Sequence, residues 1–366
     1  MSADHPIGAE DDPDARCRAG GPASHDVVMS QSAHPTLVAP NRVASDTEMA
    51  TGAQDAPVPY HRIARVLPDH RWWRPFAVLV MAVLAYAGMM LPILVGLVIA
   101  ILVDPGVGDA VDRVLGGTDM HDPATFLVAL GSIALLYPAV AFGVRVGGRR
   151  SAGTLSSTAG GLRWLLLGRS VGVALAVMVT LHAGWVAWDL VVHGVAPTLT
   201  WDHRSGALLA GALLLMPFQA AAEEYAFRGL PQQLLGSWLR NPWWGILLPI
   251  PLFTLGHVYD WRGLIDVALF ALAAGILTWR TGGLEAAIGL HVVNNSLIAV
   301  LGSVGAVDLN ATTFTAPELL TSVAATGLYT LLILRHPTPV TGLQADVERP
   351  AHTDRGLMRS ARVKHT

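Results

Sequence analysis

Three short stretches place ionisable or amide side chains inside otherwise apolar runs: Glu223-Glu224-Tyr-Ala-Phe-Arg228, Phe253-Thr-Leu-Gly-His257 and His291-Val-Val-Asn-Asn295. Such groups cost a few kcal/mol each in a hydrocarbon span, so each is a functional candidate by default. Neighbours on a helix point about 100° apart, and Glu223 and Glu224 therefore cannot share a role. Glu224 precedes Arg228 by four residues, acid first, which is the favourable orientation for a helical ion pair. That pairing leaves Glu223 facing another direction with no partner in its own helix. An unpaired carboxylate in a low-dielectric setting resists ionisation, which suits a general acid or base. His291 and Asn295 are also four apart and share one helix face. His257 and His291 are the two histidines that can supply what Glu223 lacks. The set Glu223, His257 and His291 also has the residue types of a catalytic zinc site. There is no His-Glu-x-x-His, however, and Asn295 is a poor zinc ligand, so the metal-free reading is preferred and zinc is kept as the other one.

The elements that must hold these residues are membrane helices. Hydrophobic residues make up 52% of the 366, charged residues only 14%, and the mean hydropathy is +0.46. A soluble domain carries about a quarter charged residues. The net charge of −3 gives no basic surface for nucleic acid, and the single Cys17 excludes an intrachain disulfide and a cysteine zinc site. Apolar runs lie near 76–103, 126–144, 170–194, 206–228, 243–259, 264–279, 284–304 and 317–335, the fifth and sixth being short for a 30 Å hydrocarbon core. Trp72, Trp73, Trp243, Trp244 and Trp279 stand at run ends, as interfacial aromatics do. Basic gaps (Arg62 to Arg74, then Arg145 to Arg169) alternate with an acidic one (Asp104 to Asp122). By the positive-inside rule this predicts an all-α, polytopic transmembrane bundle of about eight spans with both termini cytoplasmic. Residues 1–60 and 337–366 lack apolar periodicity and are expected to be disordered tails around a membrane domain at 61–336, with the motifs at 206–304.

The spacing also says what the elements must do. Glu223 lies 17 residues before Arg240 and His257 lies 17 after it, so a reversal at Arg240-Asn-Pro242 sets them level on antiparallel helices. This requires the fourth helix to continue past Gly229 and Pro231 to Trp238. His291 follows the next basic turn so closely that it reaches Glu223 only if that continuation exists. The other intramembrane polar residues have plainer readings. Asp189 and His182 suit a local pairing, Asp266 and Arg262 can reach an interface, and Arg145 and Arg149 end a span.

Glu-Glu-x-x-x-Arg, Phe-x-x-x-His and His-x-x-x-Asn, in that order on separate spans, resemble the CAAX protease and bacteriocin-processing (Abi) family, which includes the type II CAAX prenyl endopeptidases. Each motif is weak alone, while the ordered set is specific; it covers residues 206–304. The resemblance implies an intramembrane endopeptidase acting on a membrane-anchored, CAAX-like or otherwise lipidated peptide or protein, in a prokaryotic plasma membrane. It further implies water activation by Glu223 and His257, oxyanion binding by His291 and Asn295, and bracing by Glu224 and Arg228. Members described as metalloproteases would hold zinc through Glu223, His257 and His291. Two alternatives are a non-catalytic scaffold or bacteriocin self-immunity protein of the same fold, and a transporter using Glu223 and His257 as a proton relay. The transporter would call for internal repeats, and residues 76–200 contain no counterpart of the motifs.

Overall fold

The computed structural model describes residues 58–104, 106, 108 and 119–336; the expected tails lie outside these, apart from residues 58–60. Regular structure among the described residues is entirely helical, with one isolated bridge, Ser157 to Gly283. A 3₁₀ turn (Tyr60–Arg62) leads into α1 (Ile63–Val66) and the long α2 (Arg74–Val103). After them come α3 (Pro123–Ala134), α4 (Leu136–Val146), α5 (Gly153–Ser156) and α6 (Trp164–His193). The fourth apolar run forms α7 (Ser205–Leu214), α8 (Met216–Glu224), a π-helical segment (Tyr225–Gly229) and α9 (Leu230–Trp238). Short α10 (Trp243–Leu247) and α11 (Pro249–Leu255) precede α12 (Trp261–Thr281), α13 (Glu285–Ser303) and α14 (Ala316–Arg335).

Local chemistry sets these boundaries. Asp122 caps α3 by accepting from the Thr125 N–H, Asp260 caps α12 through Gly263, and Thr315 with Glu318 forms a reciprocal capping box on α14. Gly194 (φ 69°) and Gly282 (φ 72°) end α6 and α12 in the left-handed conformation that a side chain would resist. The fourth run does continue to Trp238, 34 residues in all, although two prolines interrupt its hydrogen bonding. Pro217 marks the step from α7 to α8. Pro231 lacks an N–H and crowds the carbonyl four residues before it. The backbone accommodates it by a π turn, in which the Leu230 N–H bonds the Tyr225 carbonyl.

Among the described residues, seven helices are long and apolar enough to cross a membrane: Arg74–Val103, Pro123–Val146, Trp164–His193, Ser205–Trp238, Trp261–Thr281, Glu285–Ser303 and Ala316–Arg335. The fifth apolar run, expected as a span over 243–259, is shorter than that. Its helix covers Trp243–Leu255 and is divided at Leu248, because Pro249 and Pro251 cannot donate to the preceding turn. The chain nonetheless links the two ends of the bundle here. One end gathers Tyr60, whose hydroxyl donates to the Leu155 carbonyl, and Leu284, whose N–H donates to Ser156. The other gathers His121 against Asp308 and the Asp260 N–H on the Thr312 carbonyl.

Apolar side chains face outward along the long helices; on α2 they include Leu79, Val83, Leu84, Leu91 and Leu94. In water this surface would be untenable, whereas in lipid it is the solvent-facing one. The protein is an integral, multi-pass membrane protein. Between helices, small residues permit close approach. A Cβ on Gly143 of α4 would stand 2.5 Å from the Val78 carbonyl of α2, and one on Gly289 of α13 would stand 2.7 Å from Ser170 of α6.

Candidate active site

The π turn sits immediately after the paired acids. Glu223 and Glu224 occupy the last turn of α8, and Arg228 lies within the π segment. Arg228 Nη1 is 3.1 Å from Glu224 Oε1, with Glu224 fully buried and Arg228 2% exposed. The guanidinium also lies over the Phe253 ring, 4.0 Å from its centroid, with Phe270 at 5.8 Å. A buried cation held by one carboxylate and two aromatic faces is fixed in position.

From α13, His291 reaches both acids. Its Nδ1 lies 2.7 Å from Glu224 Oε1 and its Nε2 3.3 Å from Glu223 Oε2. The Glu224 carboxylate, paired with Arg228, accepts, so His291 Nδ1 carries a proton. Its Nε2 faces Glu223 Oε2 within ion-pairing distance. Glu223 is 9% exposed, and its partner is thus His291 rather than no residue at all. Arg228, Glu224, His291 and Glu223 form a continuous chain of charge-assisted contacts.

Asn295 lies one turn beyond His291 on the same face. Its Oδ1 accepts from Asn294 Nδ2 at 3.1 Å, which turns its own Nδ2 toward Gln219 Oε1 at 3.5 Å. That second contact is long, and the amide donor is only loosely engaged. His257 follows the end of α11 and is placed differently. Its Nδ1 donates to the Phe253 carbonyl at 2.8 Å, leaving Nε2 as a bare acceptor. Its ring stacks on Phe253 at 4.8 Å, the same ring that lies 6.3 Å from His291. Glu223, Glu224, Arg228 and His291 are brought together by direct contacts, while Asn295 bonds Asn294 and Gln219 and His257 joins the cluster through Phe253.

Zinc does not suit this arrangement. Among the described residues, no three His, Cys, Asp or Glu side chains converge as a metal-holding group. Glu223, His257 and His291 are not so grouped, and both nitrogens of His291 face glutamates.

Several contributors carry little sequence signal. Gln219 stands one turn before Glu223 and could have been found by that spacing. Phe253 gains a role as the aromatic floor under Arg228, and Phe270 is hidden among ordinary apolar residues. Tyr259 packs against His257 at 5.9 Å and edge-on to Phe314 at 5.3 Å. Although 36% of Tyr259 is accessible, the protein crowded round its phenol pushes the pKa up, and the Asp266 and Glu223 charges add to this. The plainer polar residues behave locally. His182 bonds the Met178 carbonyl, Asp189 pairs with His193, and Asp266 accepts from Ser322. Arg163, read above only as a basic-gap residue, donates from Nε and Nη2 to both oxygens of the buried Glu285.

With this geometry in view, comparison with known proteins places the motif-bearing segment. Residues 205–297 match the family model "Type II CAAX prenyl endopeptidase Rce1-like". The segment is similar to the Rce1-like family. All three motifs fall within it, which bears out the resemblance carried by their order. The match supports intramembrane protease activity of the CAAX type in general. A second similarity is to the uncharacterized protein YyaK of Bacillus subtilis (strain 168), 25% identical over 240 residues, covering 62% of this chain and 77% of that protein. No solved structure matches.

Proposed function

We propose that the protein is an intramembrane endopeptidase that hydrolyses a peptide bond of a membrane-associated, CAAX-like or otherwise lipidated substrate, with Glu223 as the residue that takes the proton of the attacking water. The observation that carries this reading is the buried chain Arg228–Glu224–His291–Glu223, in which every link is within 3.3 Å. Such a chain fixes its inner members and leaves the Glu223 carboxylate, at its end, to take a proton. Arg228 keeps Glu224 ionised, and Glu224 in turn sets the tautomer and tilt of His291. Water deprotonated at Glu223 attacks the carbonyl, and the proton passes through the Glu223–His291 pair to the departing amine. The bare Nε2 of His257 is suited to orient that water as an acceptor. The loosely held Nδ2 of Asn295 is suited to receive the oxyanion as charge develops on the carbonyl oxygen.

This differs from a simple division into two histidine roles. His291 engages both acids, which makes it the link between the brace Glu224 and the base Glu223. Beside Arg228 lies a narrow apolar crevice bordered by Phe227, Ile246, Pro249, Ile250 and Phe253.

The test is cleavage by the purified full-length chain in lipid, using a library of membrane-anchored peptides with and without chelator. Cleavage lost in Glu223→Ala and indifferent to chelator supports the proposal. No cleavage by the parent chain on any anchored peptide, with the fold intact, favours the scaffold or self-immunity reading. Cleavage abolished by chelator and restored by zinc would overturn the metal-free mechanism.

A further inference from the structure

A second polar site lies away from the acids, at the end of the bundle where the chain enters α2. A shallow, partly open cleft is bordered by Leu67, His70, Arg74, Val78, Arg150 and Leu234, among others. Its polar wall is cationic and its other wall is apolar. Arg74 is 8% exposed, its Nε has no hydrogen-bond partner, and its Nη1 has only the Gly148 carbonyl at 3.4 Å and Asp69 at 3.6 Å. Arg150 is more unusual. Its Nη1 donates to the neutral acceptors Thr154 and Gln233, and no carboxylate among the described residues pairs with it. Burial lowers its pKa to about 10, so the guanidinium stays charged while lacking a counter-ion. His70 is held below its ordinary value by burial and then by Arg65, Arg62 and Arg71. Asp69, itself exposed, is the one carboxylate within ion-pairing distance of this group among the described residues.

A buried charge without a partner is costly, and structures keep one where a ligand completes the pairing. Location says which anion. Trp72 and Trp73 beside the cleft are 70% and 48% exposed, as aromatics at the headgroup layer are. Directly beyond them runs the outward apolar face of α2, where acyl chains would lie. We propose that this cleft binds the phosphodiester headgroup of an anionic glycerophospholipid, between Arg74, Arg150 and His70, with its acyl chains along α2. Basic pockets at this depth recognise lipid phosphates by charge pairing.

The experiment is native mass spectrometry of the full-length chain titrated with phosphatidylglycerol, phosphatidylcholine or diacylglycerol, with inorganic phosphate as a soluble competitor. The expected result is one retained phosphatidylglycerol per chain, with diacylglycerol not retained and phosphatidylcholine retained more weakly. Arg74→Gln should weaken retention by about tenfold or more, as loss of a charge-assisted contact does, and His70→Ala should weaken it by a smaller but measurable factor, because His70 offers only a neutral hydrogen bond. His70 is only partly buried, so its variant keeps the test open if Arg74→Gln fails to fold. Equal retention by the parent and a folded variant would overturn the proposal, as would equal retention of diacylglycerol. Displacement of phosphatidylglycerol by millimolar phosphate, with phosphate alone stabilising the chain, would assign the cleft to a soluble anion instead.

Discussion

Glu223 and Glu224 differ by one position in sequence and by function in space. Glu224 is fully buried between Arg228 and His291, so Glu224→Gln strips one buried cation of its only carboxylate and gives His291 a neutral partner. Thermal or denaturant unfolding should show a loss on the order of 3–5 kcal/mol, as for other broken buried pairs. Glu223 is at the edge of the cluster, and Glu223→Gln should leave the fold intact while abolishing cleavage. A Glu223→Gln protein with full activity beside a stable, inactive Glu224→Gln protein would reverse the assignment. For Asn295→Ala the rate should fall by about 10²–10³, the usual loss for one oxyanion donor, with substrate binding little changed. Metal analysis of the purified parent chain should find no stoichiometric zinc.

At the scale of elements, the π segment is the feature on which the site depends. It inserts extra backbone between the acids on α8 and the helix that follows, so that Arg228 folds back on Glu224 while α9 keeps its packing. Deleting Ala226 should return this stretch to ordinary α-helix. The flanking helices can then keep their neighbours, but Glu224 and Arg228 move to a separation of three. The variant should insert and fold yet lose about tenfold or more in cleavage, since misplacement of about 1 Å can cost that and more. Unchanged cleavage kinetics would show that the π turn is dispensable.

For the whole molecule, the connection through α10 and α11 decides how the chain lies in the membrane. Trp243–Leu255 is too short to count as a span by itself. With the non-helical residues 256–260, however, it carries the chain from the Trp238 end to the end where Asp260 meets Thr312. Both termini should therefore lie on one side, the cytoplasmic one by the Arg62–Arg74 cluster. Reporter fusions within 104–122 should read outside, and fusions after Arg335 should read inside. A C-terminal fusion that reads outside would mean that the Trp243–Asp260 segment turns back within the bilayer.

The sequence by itself determined the membrane class and the helical fold, and its ordered motifs carried the resemblance to the Rce1-like family. Apolar run length and sparse charge follow from backbone hydrogen bonding in lipid, which admits few solutions. The Glu224–Arg228 pair was legible because both residues lie on one helix, where spacing is geometry. Contacts between helices were not legible in that way. Sequence spacing suggested His257 as the partner of Glu223, yet His291 makes the contact, because the relative rotation of α8 and α13 is set by tertiary packing. The π turn was hidden because Pro231 signals only a disturbance, and neighbouring helices choose how it is relieved. Glu285 drew no attention in the sequence, and only the tertiary structure showed its carboxylate clasped by Arg163 from another loop. Whether a buried charge is a catalyst, a brace or an unfilled binding site depends on what faces it from the next helix, and that is a property of the assembled bundle.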